Sequence, residues 1–461
     1  LRLWGALLLL AAVAGCSTVK PWANTPLDPD RKPPEGLLVE GRDPTILVAV
    51  TLSGGGARAA AFGFGVLSEL RKVEYTGQGK PSNLLEAADV VSGVSGGSIV
   101  AAYYAAFGAE GLPNFEHEFL RQNFQNSLIL QALHPGTLVD LTSPWFGRSH
   151  ILARRLDTLY KGMTYGDIQR RPRHPQLLIT ATDMSQGAEF EFTPAQFELI
   201  CSDFQSVPLS FAVAASSSVP LLLSPVTLRN YADDCKRRGI PLQLRDITGT
   251  DYRSRLYRAQ ESSYLDAKTR PYIHLVDGGL VDNLGVRRLL DRTLAGGGLR
   301  SSFREVGIPT GSIRRLVLIT VNSERDPSAN VNASDKVPGM VDVVDALVFG
   351  AGARATTETQ EFLADLTRQW KEELRTGKGR GADAFARDAE IHVIQVNLRD
   401  APESAGRRQL LQIPTALSIS GGEVDNLIEA GGSILRNSTE FKALQKSLGA
   451  EARVGASKNC R

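Results

Sequence analysis

The sequence predicts an α/β fold in which a mostly parallel sheet is covered by helices on both faces. The first observation is a series of short apolar segments, several of them rich in β-branched residues, whose lengths suit buried strands. The second is that glycine-containing turns and segments with helical apolar spacing separate these strands along the chain. Parallel neighbours need a crossover connection, which is usually a helix. This alternation therefore favours parallel strands between two helical layers.

The predicted elements begin at Thr45 and alternate as far as residue 322. TILVAVTL is a continuous apolar run, which suits a strand buried on both faces, and the glycine turn and helix of SGGGARAAAFGFGVLSELRKV follow it. AADVVSG and the helix GSIVAAYYAAF repeat this pattern. The remaining predicted elements are the strand HPQLLITATDM, its hairpin partner EFEFTP, the helix FAVAASSSV, the strand YIHLVDGG, the helix VDNLGVRRLLDRTL and the strand RRLVLITVNS.

Helical segments dominate the sequence after Asn322. Residues 341–374 and 423–448 are predicted as helices, and residues 390–398 as a single strand. A lone strand leaves its backbone groups unpaired. We therefore expect residues 323–461 to form a mainly helical extension that packs on a domain of residues 45–322 and does not fold alone.

The N-terminus has the features of a bacterial export signal. Residues 3–15 form an apolar run that is too short to span a bilayer, which needs about 20 residues. The motif VAGC resembles a lipobox, which predicts a lipoprotein signal peptide over residues 1–16 and acylation of Cys16, although an ordinary signal peptide with an incidental cysteine is the alternative. Ser17 follows in place of the aspartate that often retains lipoproteins at the inner membrane. Residues 17–44 are rich in proline and polar residues, which predicts an extended tether.

Composition argues against several classes of partner. Basic and acidic residues nearly balance, with a formal net charge of +2 and no basic stripe, so no nucleic-acid partner is predicted. The chain has no CxxC motif and no His/Cys cluster, so neither a metal nor a cofactor is predicted.

Beyond Cys16 the cysteines are Cys201, Cys235 and Cys460. In an oxidising compartment one pair can form a disulfide, but the sequence does not select the pair, and three unpaired thiols are the alternative.

The segment VVSGVSGGSIV, residues 90–100, places Ser95 between a predicted strand and a predicted helix. Gly93 and Gly97 lie two positions to either side, which is the G-x-S-x-G pattern of a nucleophile elbow. This sharp turn strains the serine backbone, and its neighbours must be small to avoid a clash. The pattern predicts Ser95 as a nucleophile at the C-terminal edge of the sheet. A glycine–serine turn that only begins a helix is the alternative.

A second strand–glycine–helix junction, SGGGAR at residues 53–58, lies upstream of the elbow. Its three consecutive glycines are Gly54, Gly55 and Gly56. Their backbone N–H groups suit an oxyanion hole, and Arg58 adds a positive charge. The same loop also satisfies a loose dinucleotide-binding fingerprint, which needs an acidic residue at the end of the next strand. The nearby candidate, Glu74, follows a predicted helix, so dinucleotide binding is the weaker interpretation.

No histidine is well placed to serve as a general base for Ser95. Only His392 lies late in the chain, as the usual hydrolase order requires, and it falls inside a predicted strand. The other histidines are His117, His134, His150, His174 and His274. Asp277 is a better candidate because it ends a predicted strand and precedes Gly278 and Gly279, although Asp-Gly-Gly alone also suits a simple turn. Asp282 is a competitor, but no glycines bracket it.

The motifs SGGGAR, GVSGG and DGG, in this order, resemble those of the patatin-like phospholipase family. ATDMSQG and AASSSVPLLLSPV are similar to further segments of that family, so the resemblance covers residues 46–322. It implies a three-layer α/β/α hydrolase core and hydrolysis of lipid acyl esters by a Ser–Asp dyad without histidine. By resemblance Ser95 is the nucleophile, Asp277 the base, and the amides of residues 54–56 the oxyanion hole. Ala59, where the family's loop usually has a glycine, departs from the pattern.

These features predict a lipid acyl hydrolase of the phospholipase A or lysophospholipase type, anchored in the bacterial cell envelope through Cys16. The expected partners are a phospholipid or another acyl-ester lipid and the membrane, and the expected location is the outer membrane, facing the periplasm. An acyltransferase uses the same acyl-enzyme and is an alternative. A catalytically silent lipid-binding lipoprotein and a nucleotide-binding oxidoreductase are alternatives from other classes.

The segment 113–162 is rich in aromatic residues. They are Phe115, Phe119, Phe124, Trp145 and Phe146. Such a group either covers a substrate pocket or belongs to the hydrophobic core, and the core is the favoured interpretation.

Overall fold

A sheet of eight strands lies at the centre of the part of the chain that the computed structural model describes. The described residues are 17–28, 42–77, 80–240, 247–303, 308–325, 335–339, 351–377 and 383–458. The predicted signal peptide with Cys16, the segment 341–350 and Cys460 lie outside these ranges. Ten strands are described, and all but β2 and β3 belong to this sheet. They are β1 Ile46–Leu52, β2 Glu74–Gly77, β3 Lys80–Asn83, β4 Ala88–Val94, β5 Gln176–Asp183, β6 Ala188–Phe192, β7 Val226–Arg229, β8 Tyr272–Val276, β9 Ile313–Asn322 and β10 Phe385–Asn397.

The central sheet is mostly parallel, as predicted. Its order is β10-β9-β1-β4-β5-β8-β7, and β6 also pairs with β5. The pairs from β10 to β5 are all parallel. The strands β6, β7 and β8 pair antiparallel, and β2 and β3 form a separate hairpin.

β4 and β8 share one edge of β5 and meet there end to end. Thr180 of β5 pairs with Val94 of β4 on one side and with β6 on the other. Thr182 pairs with Val276 of β8 and again with β6. Since β6 occupies one edge of β5, both β4 and β8 lie on the opposite edge. They run in opposite directions, so the residues that follow Val94 and Val276 come together beside Ala181.

Helices cover both faces of this sheet. They are α1 Gly56–Arg71, α2 Gly96–Gly111, α3 Phe124–Leu133, α4 Pro135–Asp140, α5 Arg148–Tyr160, α6 Tyr165–Gln169, α7 Pro194–Leu199, α8 Leu209–Ser216, α9 Ala232–Arg237, α10 Tyr252–Tyr264, α11 Arg287–Ala295, α12 Leu299–Ser302, α13 Ala351–Thr376, α14 Arg407–Gln412, α15 Gly421–Asn437 and α16 Thr439–Lys458. Val48 and Val50 of β1 belong to a large buried cluster with α1, α2, α5, α8 and α15. Leu47 and Ala49 face the opposite cluster, which includes α11 and α13. The predicted three-layer α/β/α fold is confirmed.

The C-terminal part of the chain contributes both a strand and helices to this body. β10 pairs with β9 and extends the sheet. α15 packs closely on α1, because a Cβ on Gly65 would lie only 2.2 Å from the carbonyl oxygen of Ile428. On the other side of this contact, a Cβ on Gly431 would lie 2.5 Å from the carbonyl oxygen of Phe62. Glycines on both helices therefore allow their backbones to approach each other.

The N-terminal segment 17–28 packs along the body, although the sequence predicts an extended tether. Trp22 packs against Phe211, with 4.6 Å between the ring centroids. The Asn24 side chain is buried and donates to the Arg229 carbonyl oxygen at 2.8 Å. The segment also lies beside a disulfide that joins Cys201 to Cys235, a pairing that the sequence left open.

The aromatic residues of segment 113–162 lie mainly in the core. Phe115, Phe119, Phe124 and Phe146 are buried, whereas half of the Trp145 side chain is exposed. In the described ranges, the helices are all too short or too polar to cross a membrane.

Candidate active site

Ser95 occupies the turn between β4 and α2, with backbone angles of φ 48° and ψ −121°. A positive φ is strained in a residue that has a Cβ, and strain of this kind is typical of a nucleophile elbow. A Cβ on Gly93 would lie 2.5 Å from the Cα of Ser98, and one on Gly97 would lie 2.4 Å from the carbonyl oxygen of Leu52. The packing around the turn therefore leaves no room for side chains at either glycine.

Asp277 follows β8 and reaches the hydroxyl of Ser95. The Ser95 Oγ donates to Asp277 Oδ2 at 2.8 Å, and both side chains are buried. The other carboxylate oxygen, Oδ1, accepts the Gly279 N–H at 2.8 Å, and a Cβ on Gly278 would lie 2.2 Å from the Thr180 carbonyl oxygen. Gly278 thus lets the chain turn against β5, and the backbone N–H of Gly279 orients the carboxylate.

Burial makes the Asp277 carboxylate a stronger base than an exposed one. It raises the pKa of Asp277 from 3.8 to about 6, while the Gly279 N–H and the Ser95 hydroxyl oppose this shift by stabilising the charged form. Above about pH 6 the group is ionised and able to accept a proton. Its pKa lies close to neutral pH, which favours proton transfer by a general base.

The glycine loop of residues 54–56 borders Ser95. A Cβ on Gly54 would lie 3.2 Å from the Cβ of Ser95. The Gly54 N–H donates to both the backbone oxygen and Oδ1 of Asn283 at 3.1 Å, so this expected oxyanion donor is already engaged. Within the described part of the chain, the N–H groups of Gly55 and Gly56 have no acceptor. Their φ values of 138° and 61° favour glycine at both positions.

Arg58 is buried behind this loop and does not hydrogen-bond to Ser95 or Asp277. Its Nε donates to the Ser323 carbonyl oxygen at 2.9 Å, and its Nη1 donates to the Ile413 carbonyl oxygen at 2.6 Å. Burial lowers the pKa of Arg58 to about 9. The guanidinium therefore ties α1 to the segment after β9 and to the C-terminal region, and it supports the shape of the glycine loop.

Two polar residues at the site are not predicted by any pattern in the sequence. Ser216 Oγ accepts the Ser95 N–H at 2.8 Å and donates to the Thr180 carbonyl oxygen at 2.6 Å, which anchors the elbow to β5. Asn283 holds Gly54, as described above. Ser216 is one of three consecutive serines, and Asn283 lies in a turn after Asp277, so neither has a spacing that distinguishes it.

The competing candidates lie in other surroundings. The Asp282 carboxylate accepts the Leu284 and Arg287 N–H groups, and burial raises the pKa of Asp282 to about 7. His392 lies on β10 with its Nε2 3.2 Å from a carboxylate oxygen of Glu390. None of the six histidines, all of which are described, hydrogen-bonds to the Ser–Asp pair.

Metal-binding geometry is not found among the described residues, where no group of three or more His, Cys, Asp or Glu side chains is placed to hold an ion. Glu74, which dinucleotide binding requires at the end of a central strand, instead begins the separate β2–β3 hairpin.

The arrangement of a strained serine, a buried carboxylate and free backbone amides has the parts needed for covalent acyl chemistry.

The chain is similar to one known protein family and to several solved structures. A family model described as patatin-like phospholipase matches residues 50–291, which is just over half of the chain. No curated protein sequence matches the chain. Among solved structures, human GIVD cytosolic phospholipase A2 is 13% identical with a TM-score of 0.46, over 88% of this chain and 63% of that chain. VipD from Legionella pneumophila is 11% identical with a TM-score of 0.31, over 91% of this chain and 72% of that one. The chain thus spans less than two thirds of the human enzyme's length.

Proposed function

Because this chain belongs to the patatin-like phospholipase family, we propose that it cleaves acyl esters of phospholipids or lysophospholipids through a dyad of Ser95 and Asp277. The family match confirms the predicted resemblance and supports a lipid acyl hydrolase in general. The observation that supports the proposed dyad is the 2.8 Å hydrogen bond from the Ser95 hydroxyl to the buried carboxylate of Asp277. A nucleophile and base within this distance meet the geometric requirement for direct proton transfer.

In the proposed reaction, Ser95 Oγ attacks the acyl carbon of the ester and its proton passes to Asp277 Oδ2. The tetrahedral intermediate then collapses, the ester C–O bond breaks, and the leaving alcohol takes the proton from Asp277. Water attacks the resulting acyl-enzyme, with Asp277 again accepting a proton. Release of the fatty acid returns the proton to Ser95. The Gly279 N–H keeps the carboxylate oriented through both steps.

The oxyanion that forms on the acyl carbon needs fixed donors near Ser95. The free amides of Gly55 and Gly56 are the proposed donors, because Gly54 is engaged by Asn283. Ser95 also stands at the N-terminus of α2, whose dipole favours negative charge. Arg58 acts as a positioning residue for the loop.

Labelling with a fluorophosphonate, followed by activity on a panel of lipid esters, tests this proposal. Ser95→Ala is expected to lose both labelling and hydrolysis, and Asp277→Asn to lose hydrolysis while the fold is retained. The double variant should be scarcely worse than either single one, because residues that act as a unit are not additive. Asp282→Asn serves as a matched control, since this nearby buried aspartate has no bond to Ser95.

Two outcomes would contradict the mechanism. Hydrolysis that survives in Ser95→Ala would place the chemistry elsewhere, and a folded parent that neither labels nor hydrolyses any ester would favour a silent lipid-binding protein. Loss of activity in His392→Ala without unfolding would indicate a histidine-containing triad.

We also propose that the mature protein is a lipoprotein of the bacterial envelope, acylated on Cys16 and held at the outer membrane. The VAGC motif and the following Ser17 support this location. The Cys201–Cys235 disulfide supports export, because disulfides persist mainly in oxidising compartments. Cys16→Ala is expected to release the protein from the membrane fraction. Fractionation that recovers this variant as firmly bound as the parent would contradict the anchor.

A further inference from the structure

Several large apolar side chains are exposed on two neighbouring segments, α4 with its flanking residues and the loop before β7. We call this group the apolar rim, and its members are Leu133, Leu138, Val139, Trp145, Leu221 and Leu222, each between 49% and 67% exposed. Large exposed apolar patches on soluble domains usually mark a surface that binds another protein, a membrane or a ligand.

The apolar rim adjoins the active site. The Ser149 hydroxyl, four residues after Trp145, donates to the Ser224 carbonyl oxygen and accepts from the Ser218 hydroxyl at 2.8 Å. These bonds join the segment after α4 to the loop that contains Leu221 and Leu222. The same loop accepts the Asp277 N–H at the Ser218 carbonyl oxygen, at 3.0 Å. Both parts of the rim therefore lie against the structure that holds the base.

The N-terminal segment is fixed to the same surface. The Ser17 N–H donates to the Thr142 hydroxyl at 2.9 Å, and the Ser143 hydroxyl donates to the Val19 carbonyl oxygen at 2.6 Å. The Lys20 ammonium lies 4.8 Å from the centre of the Trp145 ring. Trp22 and Asn24 then hold the next residues against the body. The start of the segment is thus held at the rim by several contacts.

Ser17 directly follows Cys16, and consecutive Cα atoms lie about 3.8 Å apart. Acyl groups on Cys16 would consequently enter the membrane within a few ångströms of the surface that carries Thr142. We infer that the apolar rim rests on the lipid bilayer that holds this anchor, so that the active site faces the membrane surface and takes lipid from it. This inference rests on the proposed acylation and lipid hydrolysis. The half-exposed Trp145 and the cationic Lys20 suit the interface between acyl chains and headgroups.

The position of the anchor favours a bilayer, and not a partner protein, as the surface that the apolar rim contacts. A long free tether would let the body turn any face to the membrane, but the contacts of residues 17–24 remove this freedom. An exposed apolar surface next to a short lipid anchor is therefore close enough to insert, and burial of its side chains in the bilayer is favourable.

Fluorescence quenching gives the first test. The mature protein, acylated on Cys16 and without the signal peptide that carries Trp4, is reconstituted in vesicles of phosphatidylcholine brominated on its acyl chains, which quench indoles that enter the bilayer. Strong quenching is expected in the parent, and Trp145→Phe should lose most of it because Trp370 is buried and Trp22 packs against Phe211. Quenching that is absent in the parent, or unchanged in Trp145→Phe, would overturn the inference.

Partitioning separates the contribution of the rim from that of the anchor. In a Cys16→Ala background, the pair Leu138→Asp and Val139→Asp is expected to lower binding to vesicles of phosphatidylcholine and phosphatidylglycerol at least about tenfold. Leu256→Asp is the matched control, because Leu256 is 64% exposed on α10, whose Arg253 packs over Phe362 of the opposite helical layer. Equal binding of the rim variant and the control would contradict the inference.

Activity measurements distinguish failure of this inference from failure of the proposed function. With Cys16 intact, the rim variant should hydrolyse vesicle lipid at least about tenfold more slowly than the parent and a water-soluble short-chain ester at the same rate. If the rim variant hydrolyses vesicle lipid as fast as the parent, the rim does not dock on the membrane. If the parent hydrolyses no ester at all, the proposed function fails, and quenching and partitioning still decide the orientation.

Discussion

Replacing Asp277 by asparagine is expected to stabilise the folded protein at neutral pH while abolishing hydrolysis. The folded structure raises the pKa of Asp277 from 3.8 to about 6 by burial, so folding favours its neutral form. Below the pKa that it has in the unfolded chain, such a carboxyl group is neutral in both states and its full contribution to stability is present. As the pH rises towards the pKa of the folded state, the unfolded chain ionises first, and this contribution is lost. The difference in pKa corresponds to about 3 kcal/mol of free energy of unfolding once the pH is above 6.

Asparagine can keep both hydrogen bonds without the charge, since its oxygen can accept the Gly279 N–H and its amide can donate to Ser95. The free energy of unfolding of the variant should therefore exceed that of the parent by up to about 3 kcal/mol at pH 7.5. At pH 4.5 the excess should be only about 1 kcal/mol, because Asp277 of the folded parent is already protonated there. Urea or thermal unfolding of both proteins at the two pH values measures this difference. An equal gain at both pH values, or no gain at pH 7.5, would refute the account of Asp277 as a buried base.

Further predictions concern the base, the glycine loop and the C-terminal region. The kcat/KM for a soluble ester should fall about tenfold per pH unit below a midpoint near the Asp277 pKa of about 6, and a profile that is flat from pH 5 to 8 would contradict this. Asn283→Ala removes one of the two acceptors of the Gly54 N–H, which loosens the glycine loop, and should lower kcat by about tenfold to a hundredfold with little change in the melting temperature, which kinetics and calorimetry can check. Arg58→Ala leaves two buried carbonyl oxygens without their donor and should cost about 3 kcal/mol of stability as well as turnover, with Arg58→Lys intermediate in both. Expressed alone, residues 330–461 should not unfold cooperatively, because β10 would lose its pairing with β9, and a cooperatively folded monomer would contradict this.

The sequence by itself determined the local parts of this protein. Gly93, Gly97 and Gly278 are visible in the sequence because each is needed by a sharp turn with too little space for a side chain. The apolar runs of β1, β4 and β9 are equally visible, since a parallel strand covered on both faces has no polar side. These constraints act on neighbouring residues and depend little on the rest of the chain.

Only the tertiary structure decided which of these parts meet. The antiparallel β8 meets β4 end to end on one edge of β5, and this brings Asp277 to Ser95 across 182 positions of sequence. The roles of Ser216 and Asn283, and the fixed course of residues 17–28, have the same origin. Strand order, register and the docking of loops are set by packing between residues far apart in the chain, and no local pattern records them.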